Sequence, residues 1–133
     1  MRVVEIFRAV YRLFKVCLNS RNLDLVNGSL AVAYAEGAQS ERSLNLADKM
    51  NDTRLRDKAY QDLAKAMEQK RDIQSSQRSL LSISSDQLRR SAEDSEAKTL
   101  ARNTPPEKAI SSSRSLLTGR QRVVFLLEIA KRS

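Results

Sequence analysis

"SLAVAYAEG" (Ser29–Gly37) and "DLAKAMEQK" (Asp62–Lys70) follow one another at a fixed interval and share one pattern: Leu, Ala, any residue, Ala, then a large apolar residue. The matched places are Leu30, Ala31, Ala33 and Tyr34 against Leu63, Ala64, Ala66 and Met67. Apolar residues at this spacing share one face of a helix, and small residues beside large ones let a second helix approach. An internal echo matters more than any single element, because a repeat dictates the architecture of the whole chain.

The echo continues along the sequence. Ala97 and Leu100 match Ala64 and Met67 at the next interval. Val26, Ala59, Ala92 and Phe125 form one column, Met50, Ile83 and Leu116 a second, Leu55 and Leu88 a third, and Arg56, Arg89 and Arg122 a fourth. Each unit divides into two helices. The first is predicted over Leu25–Gly37, Lys58–Lys70 and Ser91–Arg102, the second over Glu41–Met50, Gln74–Ile83 and Glu107–Leu116. In "TPPE", Thr104 is expected to cap a helix, with prolines in its first turn and Glu107 closing a capping box. Ser40 and Asp72 are candidates for the same task, and Gly37 suits a left-handed helix end. "NDT" (Asn51–Thr53), "SSD" (Ser84–Asp86) and "TG" (Thr118–Gly119) separate one unit from the next.

These columns resemble the tetratricopeptide repeat. That family's first helix carries a large residue, Leu-Gly or Leu-Ala, then Tyr one turn later; here Leu30, Ala31 and Tyr34, then Tyr60, Leu63, Ala64 and Met67, hold those places. Ser43, Ala47 and Met50, then Ser76, Leu80 and Ile83, match its second helix. Asn27 stands at the usual Trp place and Glu96 at a usual Leu place, while Leu55, Leu88 and Gln121 stand where the family has Pro. The spacing of 33 against the family's usual 34 leaves a related helical-hairpin repeat as the alternative. The resemblance implies an all-α, right-handed solenoid of antiparallel helix hairpins, about eight helices in one domain. Its units would be a half repeat (1–23), three repeats (24–56, 57–89, 90–122) and a second half repeat (123–133). One interval before Ser43, Ala47 and Met50 stand Val10, Phe14 and Cys17, so the N-terminal helix reads as a second helix without its mate. The final "VVFLLEIAKRS" reads as a first helix without its mate, and Val124, Phe125 and Leu127 are its candidate surface for self-association or for a further unit.

The composition agrees: three Gly, two Pro, no Trp and many helix formers point to helices throughout. There is no His, which removes His-based acid–base and nucleophilic machinery and most zinc sites. No Gly-rich phosphate loop occurs, so neither a cofactor nor a metal is expected, and the chain reads as a non-enzyme. The pairs Asp57/Asp62 and Glu93/Glu96 read as solvated helix faces. The lone Cys17 fits a reducing, cytoplasmic setting and reads as a small buried hydrophobe. Near the N-terminus, Val3, Phe7, Val10, Phe14 and Cys17 line one side of a helix, with Arg8, Arg12 and Lys15 on the other. The expectation there is a helix packed on the core, with membrane-surface binding as the alternative; charges rule out a transmembrane span.

What remains is a net charge of +8, which speaks to partners and not to fold. With the apolar seam set by Leu63, Ala64 and Met67, the outward residues of the first helices are Lys58, Gln61, Lys65 and Glu68. They are followed by Ser91, Asp94, Lys98, Ala101 and Arg102, and then Lys131. The resemblance places such residues on a concave groove. There Lys65, Lys98 and Lys131 would form a basic file suited to an acidic or extended peptide, as in a scaffold, adaptor or chaperone. The Lys/Asn/Arg clamp of chaperone-binding members is missing, since Gly28, Val32, Asp62, Ser91 and Ser95 hold its places. The alternative is a basic helical-repeat protein that binds RNA, against which the lack of stacking aromatics counts.

Overall fold

The computed structural model describes residues 2–14, 20–116 and 118–132. Lys15 and Cys17 lie outside them, as do the side chains of Arg12 and Phe14. The described residues are all-α, with eight α-helices, a single 3-10 turn (Pro106–Lys108) and no strand. The helices are α1 (Arg2–Phe14), α2 (Ser20–Glu36), α3 (Ser40–Asp48), α4 (Thr53–Gln69), α5 (Ile73–Leu81), α6 (Asp86–Arg102), α7 (Ala109–Ser113) and α8 (Gly119–Arg132). They form two compact units, Met1–Ser84 and Ser85–Ser133.

The first unit is built on two hairpins. α2 packs against α3, α4 against α5, and α2 also against α4. Links this short (37–39 and 70–72) force each pair to run antiparallel. Both links close in the same way. The Gln39 N–H donates to the Tyr34 carbonyl at 2.8 Å and the Asp72 N–H to the Met67 carbonyl at 2.9 Å. Between them, Ala38 (φ 59°) and Arg71 (φ 61°) take the left-handed conformation. That conformation falls one place after Gly37, which occupies the cap position itself and needs no positive φ.

α4 and α6 each begin five residues before the sequence-based starts, and α2 is already helical at Ser20, well before Leu25. Asp52 and Ser85 explain two of these: their side chains accept the N–H of Leu55 (3.0 Å) and Leu88 (3.3 Å), so they are N-caps and not linker residues. Asp72 caps α5 through the Ser75 N–H, whereas Ser40 turns to Asp72, donating its hydroxyl at 2.7 Å. That bond holds the Asp72 carboxyl below its usual range, with the Ser75 bonds reinforcing it against some burial.

Leu30, Ala31 and Tyr34 of α2, and Leu63, Ala64 and Met67 of α4, are all buried, as are Met50 and Ile83. The small residues of the shorter helices also make directed bonds. The Ser43 hydroxyl donates to the Ala31 carbonyl at 2.7 Å, and Ser76 makes the same bond to Ala64 at 3.0 Å. Each satisfies a buried hydroxyl while joining the two helices of its hairpin. Two buried carboxylates tie hairpins to the turns that follow. Asp24 of α2 accepts the N–H of Asn51 (3.1 Å) and Asp52 (2.7 Å), and Asp57 of α4 accepts the N–H and hydroxyl of Ser84 (both 2.9 Å to Oδ1). Asp57 therefore lies in the interior and not on a solvated face.

α1 packs on α2, and Val4 joins Leu30 and Tyr34 in a small cluster. The stripe expected to face the core does not: Val3, Phe7 and Val10 are exposed, and so is Ile6. α1 meets its neighbour along one edge, leaving the middle of its apolar face open.

In the second unit α6 and α7 pack on α8. Ala97, Ala101, Ala109, Leu116, Phe125 and Ile129 form the core, with Leu100 and Val124 at its margin. Alanines along α6 let α8 come close, and Phe125 fills the space between. Glu93 and Glu96 are also buried, against the solvated-face reading. Burial pushes the Glu93 carboxyl up, opposed by the Arg89 guanidinium. Thr104 does not cap a helix; its hydroxyl donates back to the Leu100 carbonyl at 2.6 Å. Pro105 follows in extended conformation and has no N–H with which to close a link of the Gln39 or Asp72 kind. The chain instead enters a 3-10 turn and the short α7, in place of one longer helix.

Candidate functional site

A depression with features of a binding site lies between α2 and α4 in the first unit. It encloses about 200 Å³ and is lined by Leu25, Gly28, Val32, Met50, Leu55 and Ala59, with Asp24, Ser29, Lys58 and Asp62 among them. Its geometry follows from the local packing. Asp24 draws the start of α4 to the first turns of α2, and Gly28 opens space one turn later. A Cβ at Gly28 would meet the Met50 side chain at 3.5 Å and Ala59 at 4.0 Å, so only ordinary contacts surround that point. The floor is apolar, and Lys58, exposed and followed two turns later by exposed Lys65, supplies positive charge at the rim. Asp62, half-buried, supplies the opposite sign. The surface is mixed in charge, with a cationic side.

The candidate partner-binding residues fall into distinct groups. Lys58 lines the depression, and Lys65 lies further along the same helix. Gln61 and Glu68 are half-buried. Lys98 and Lys131 are exposed on α6 and α8. Among the described residues none of these four lysines makes an ion pair. Asp94 and Arg102 are engaged instead. Arg120 grips Asp94 with two bonds of 3.1 and 2.8 Å, and Arg102 pairs with Glu128 at 3.7 Å. Ala101, expected to face outward, is fully buried in the second core. On α8, Phe125 is likewise buried and Val124 packs against that core, so neither is free for a partner. The open apolar face of α8 comprises Val123, Leu126 and Leu127.

Sequence reasoning passed over Asp24, Leu25 and Ser29 at this site. A signal for Asp24 existed, since Asp57, at the matching place of the sequence echo, has the same role in the interior. The column of arginines has a structural use as well: Arg56 donates to the Met50 carbonyl and Arg122 to the Leu116 carbonyl, each six residues back. Neither a protein-family model, nor a curated protein, nor a solved structure matches the chain.

Proposed function

We propose that the chain is a non-enzymatic interaction module, a right-handed tetratricopeptide-like solenoid of hairpins with a period of 33, that holds an extended peptide segment with acidic side chains. The repeat reading is supported by the starts of α4, α6 and α8, which fall at residues 53, 86 and 119. It is also supported by the matching link bonds and by the matching carboxylate clasps of Asp24 and Asp57. The binding reading rests on one observation, the α2–α4 depression with its apolar floor and the unpaired Lys58 at its edge. An extended segment would seat one apolar side chain over Gly28 and place a carboxylate near Lys58 or Lys65, shape giving affinity and charge giving orientation. Leu127, with Val123 and Leu126 beside it, is the candidate surface for self-association.

Fluorescence anisotropy with a labelled library of extended acidic peptides tests this reading, with mixed-sequence RNA titrated in parallel. Lys58→Glu is expected to weaken the best peptide about tenfold, the scale of a lost charge pair turned repulsive. Gly28→Val, which fills the floor, should weaken it at least as much. Unchanged peptide affinity in both variants would sink the proposal. So would RNA binding that falls steeply with salt in the absence of any peptide hit.

A further inference from the structure

The first unit leaves one strongly patterned surface outside the groove. On α1, Val3, Ile6, Phe7 and Val10 share one face at i, i+3, i+4 and i+7, and are 61%, 62%, 46% and 40% exposed. α1 is attached to α2 through Val4 at the margin of that face, so docking has left the most apolar side of the helix in water. Four large apolar side chains in one patch on a small unit call for an occupant.

The charges around the patch indicate which. Arg2 and Arg8 are both exposed, and Glu5 is the one acidic residue of α1. A second copy of α1 would bring the same cations against themselves. Four half-exposed side chains also fall short of the ~800 Å² per partner that a stable protein interface buries. An anionic lipid surface answers both halves of the pattern: acyl chains receive the apolar face and headgroups receive the arginines. At 13 residues α1 is too short to cross a bilayer, so it would lie in the plane of the interface. We infer that α1 is a membrane-surface anchor that seats Val3, Ile6, Phe7 and Val10 among the lipids of an anionic bilayer.

The chain contains no Trp, so Phe7→Trp creates a single reporter on this face. Vesicles of phosphatidylcholine with about one-third phosphatidylserine should shift its emission to the blue and carry the full-length chain down on centrifugation. Pure phosphatidylcholine should do neither, and salt at about 0.5 M should weaken the anionic binding. In the otherwise unaltered chain, Phe7→Asp is expected to reduce sedimentation about tenfold or more, since it places a carboxylate among the acyl chains. Arg8→Glu should reduce it roughly tenfold while leaving helicity unchanged, because both positions are exposed. The inference is overturned if the chain stays in the supernatant with anionic vesicles, if Phe7→Asp binds as well as the unaltered chain, or if both vesicle types bind equally. It is also overturned if light scattering shows a lipid-independent dimer that Phe7→Asp dissociates.

Discussion

Replacing Asp24 by Ala should destabilise the first unit by about 2 kcal/mol, a figure that follows from its surroundings. The carboxylate is 1% exposed and receives two backbone donors, the Asn51 N–H shared between both its oxygens at 3.1 Å and the Asp52 N–H at 2.7 Å. Charge-assisted bonds contribute roughly 1.5–3 kcal/mol each, which would suggest a larger loss. Two effects reduce it. Burying the carboxylate already costs desolvation, which the variant recovers. Asn51 and Asp52 are themselves exposed, so their N–H groups can bind water once the acceptor is gone. Asp24→Asn should lose less, about 1 kcal/mol, because its amide keeps one acceptor but turns a donor toward the second N–H. Glu36→Ala, an exposed substitution on the same helix, should change stability by less than about 0.5 kcal/mol. Urea unfolding followed by circular dichroism measures all three; at a slope of about 1.5 kcal/mol per molar, Asp24→Ala should lower the midpoint by more than about 1 M. If Asp24→Ala and Glu36→Ala unfold at the same midpoint, the clasp contributes nothing and the reasoning fails.

Three further expectations test the buried polar groups and the links. Arg71→Gly should raise stability by about 0.5–1 kcal/mol, because Arg71 holds φ 61° where glycine carries no Cβ penalty; an unchanged or lower thermal midpoint would contradict this. Gln121→Leu should stabilise the second unit by about 1–2 kcal/mol, since the fully buried amide has, among the described residues, hydrogen-bond partners for neither side-chain atom. The relevant measure is again the urea midpoint, and a loss would mean that the amide is satisfied in solution. For Glu93 the folded carboxyl is raised by burial, so its contribution favours the folded state below the unfolded pKa and is lost as pH climbs through the folded value. Glu93→Gln removes that titration, and its advantage over the parent should grow between about pH 4 and pH 7; thermal midpoints that run parallel across this range would refute the assignment.

Much of the helical layout was readable because Leu30, Leu63, Ala31 and Ala64 recur at a helix-compatible spacing and all are buried. The starts of the long helices were harder. The first turn of α4, from Thr53 to Arg56, holds no fully buried residue, so apolar periodicity sets in only after the helix has begun. Its true signal was a cap, Asp52, in a stretch that resembled a linker. The buried acids were misread for a related reason. Charge in a sequence suggests solvent, and only position shows that Asp57 faces the N–H of Ser84. Periodicity placed Val3, Phe7 and Val10 on one side of α1 but did not reveal that this side stays exposed while Val4, outside that stripe, makes the contact. A pattern states what a helix would bury, and the neighbours decide what it does bury. For the candidate site, Lys58 was legible as an outward residue, but the depression beside it depends on Gly28, whose importance is the absence of a side chain.

Small apolar columns and buried polar bonds do different work in the first unit, and the depression depends on both. Alanine and serine at the hairpin contacts set how closely helices approach, but apolar surfaces slide at little cost, so they leave the register loosely determined. Directed bonds remove that freedom. Ser43 and Ser76 each lock one hairpin to a single carbonyl, and Asp24 locks the start of α4 to one turn of α2. Asp24 also lines the depression, so the residue that sets the register of α2 against α4 forms part of the wall. Losing the clasp would therefore change the shape over Gly28 as well as the stability. In Asp24→Asn, the milder variant, peptide affinity should fall while the chain remains folded. A purely energetic role for Asp24 would leave binding intact wherever the fold survives.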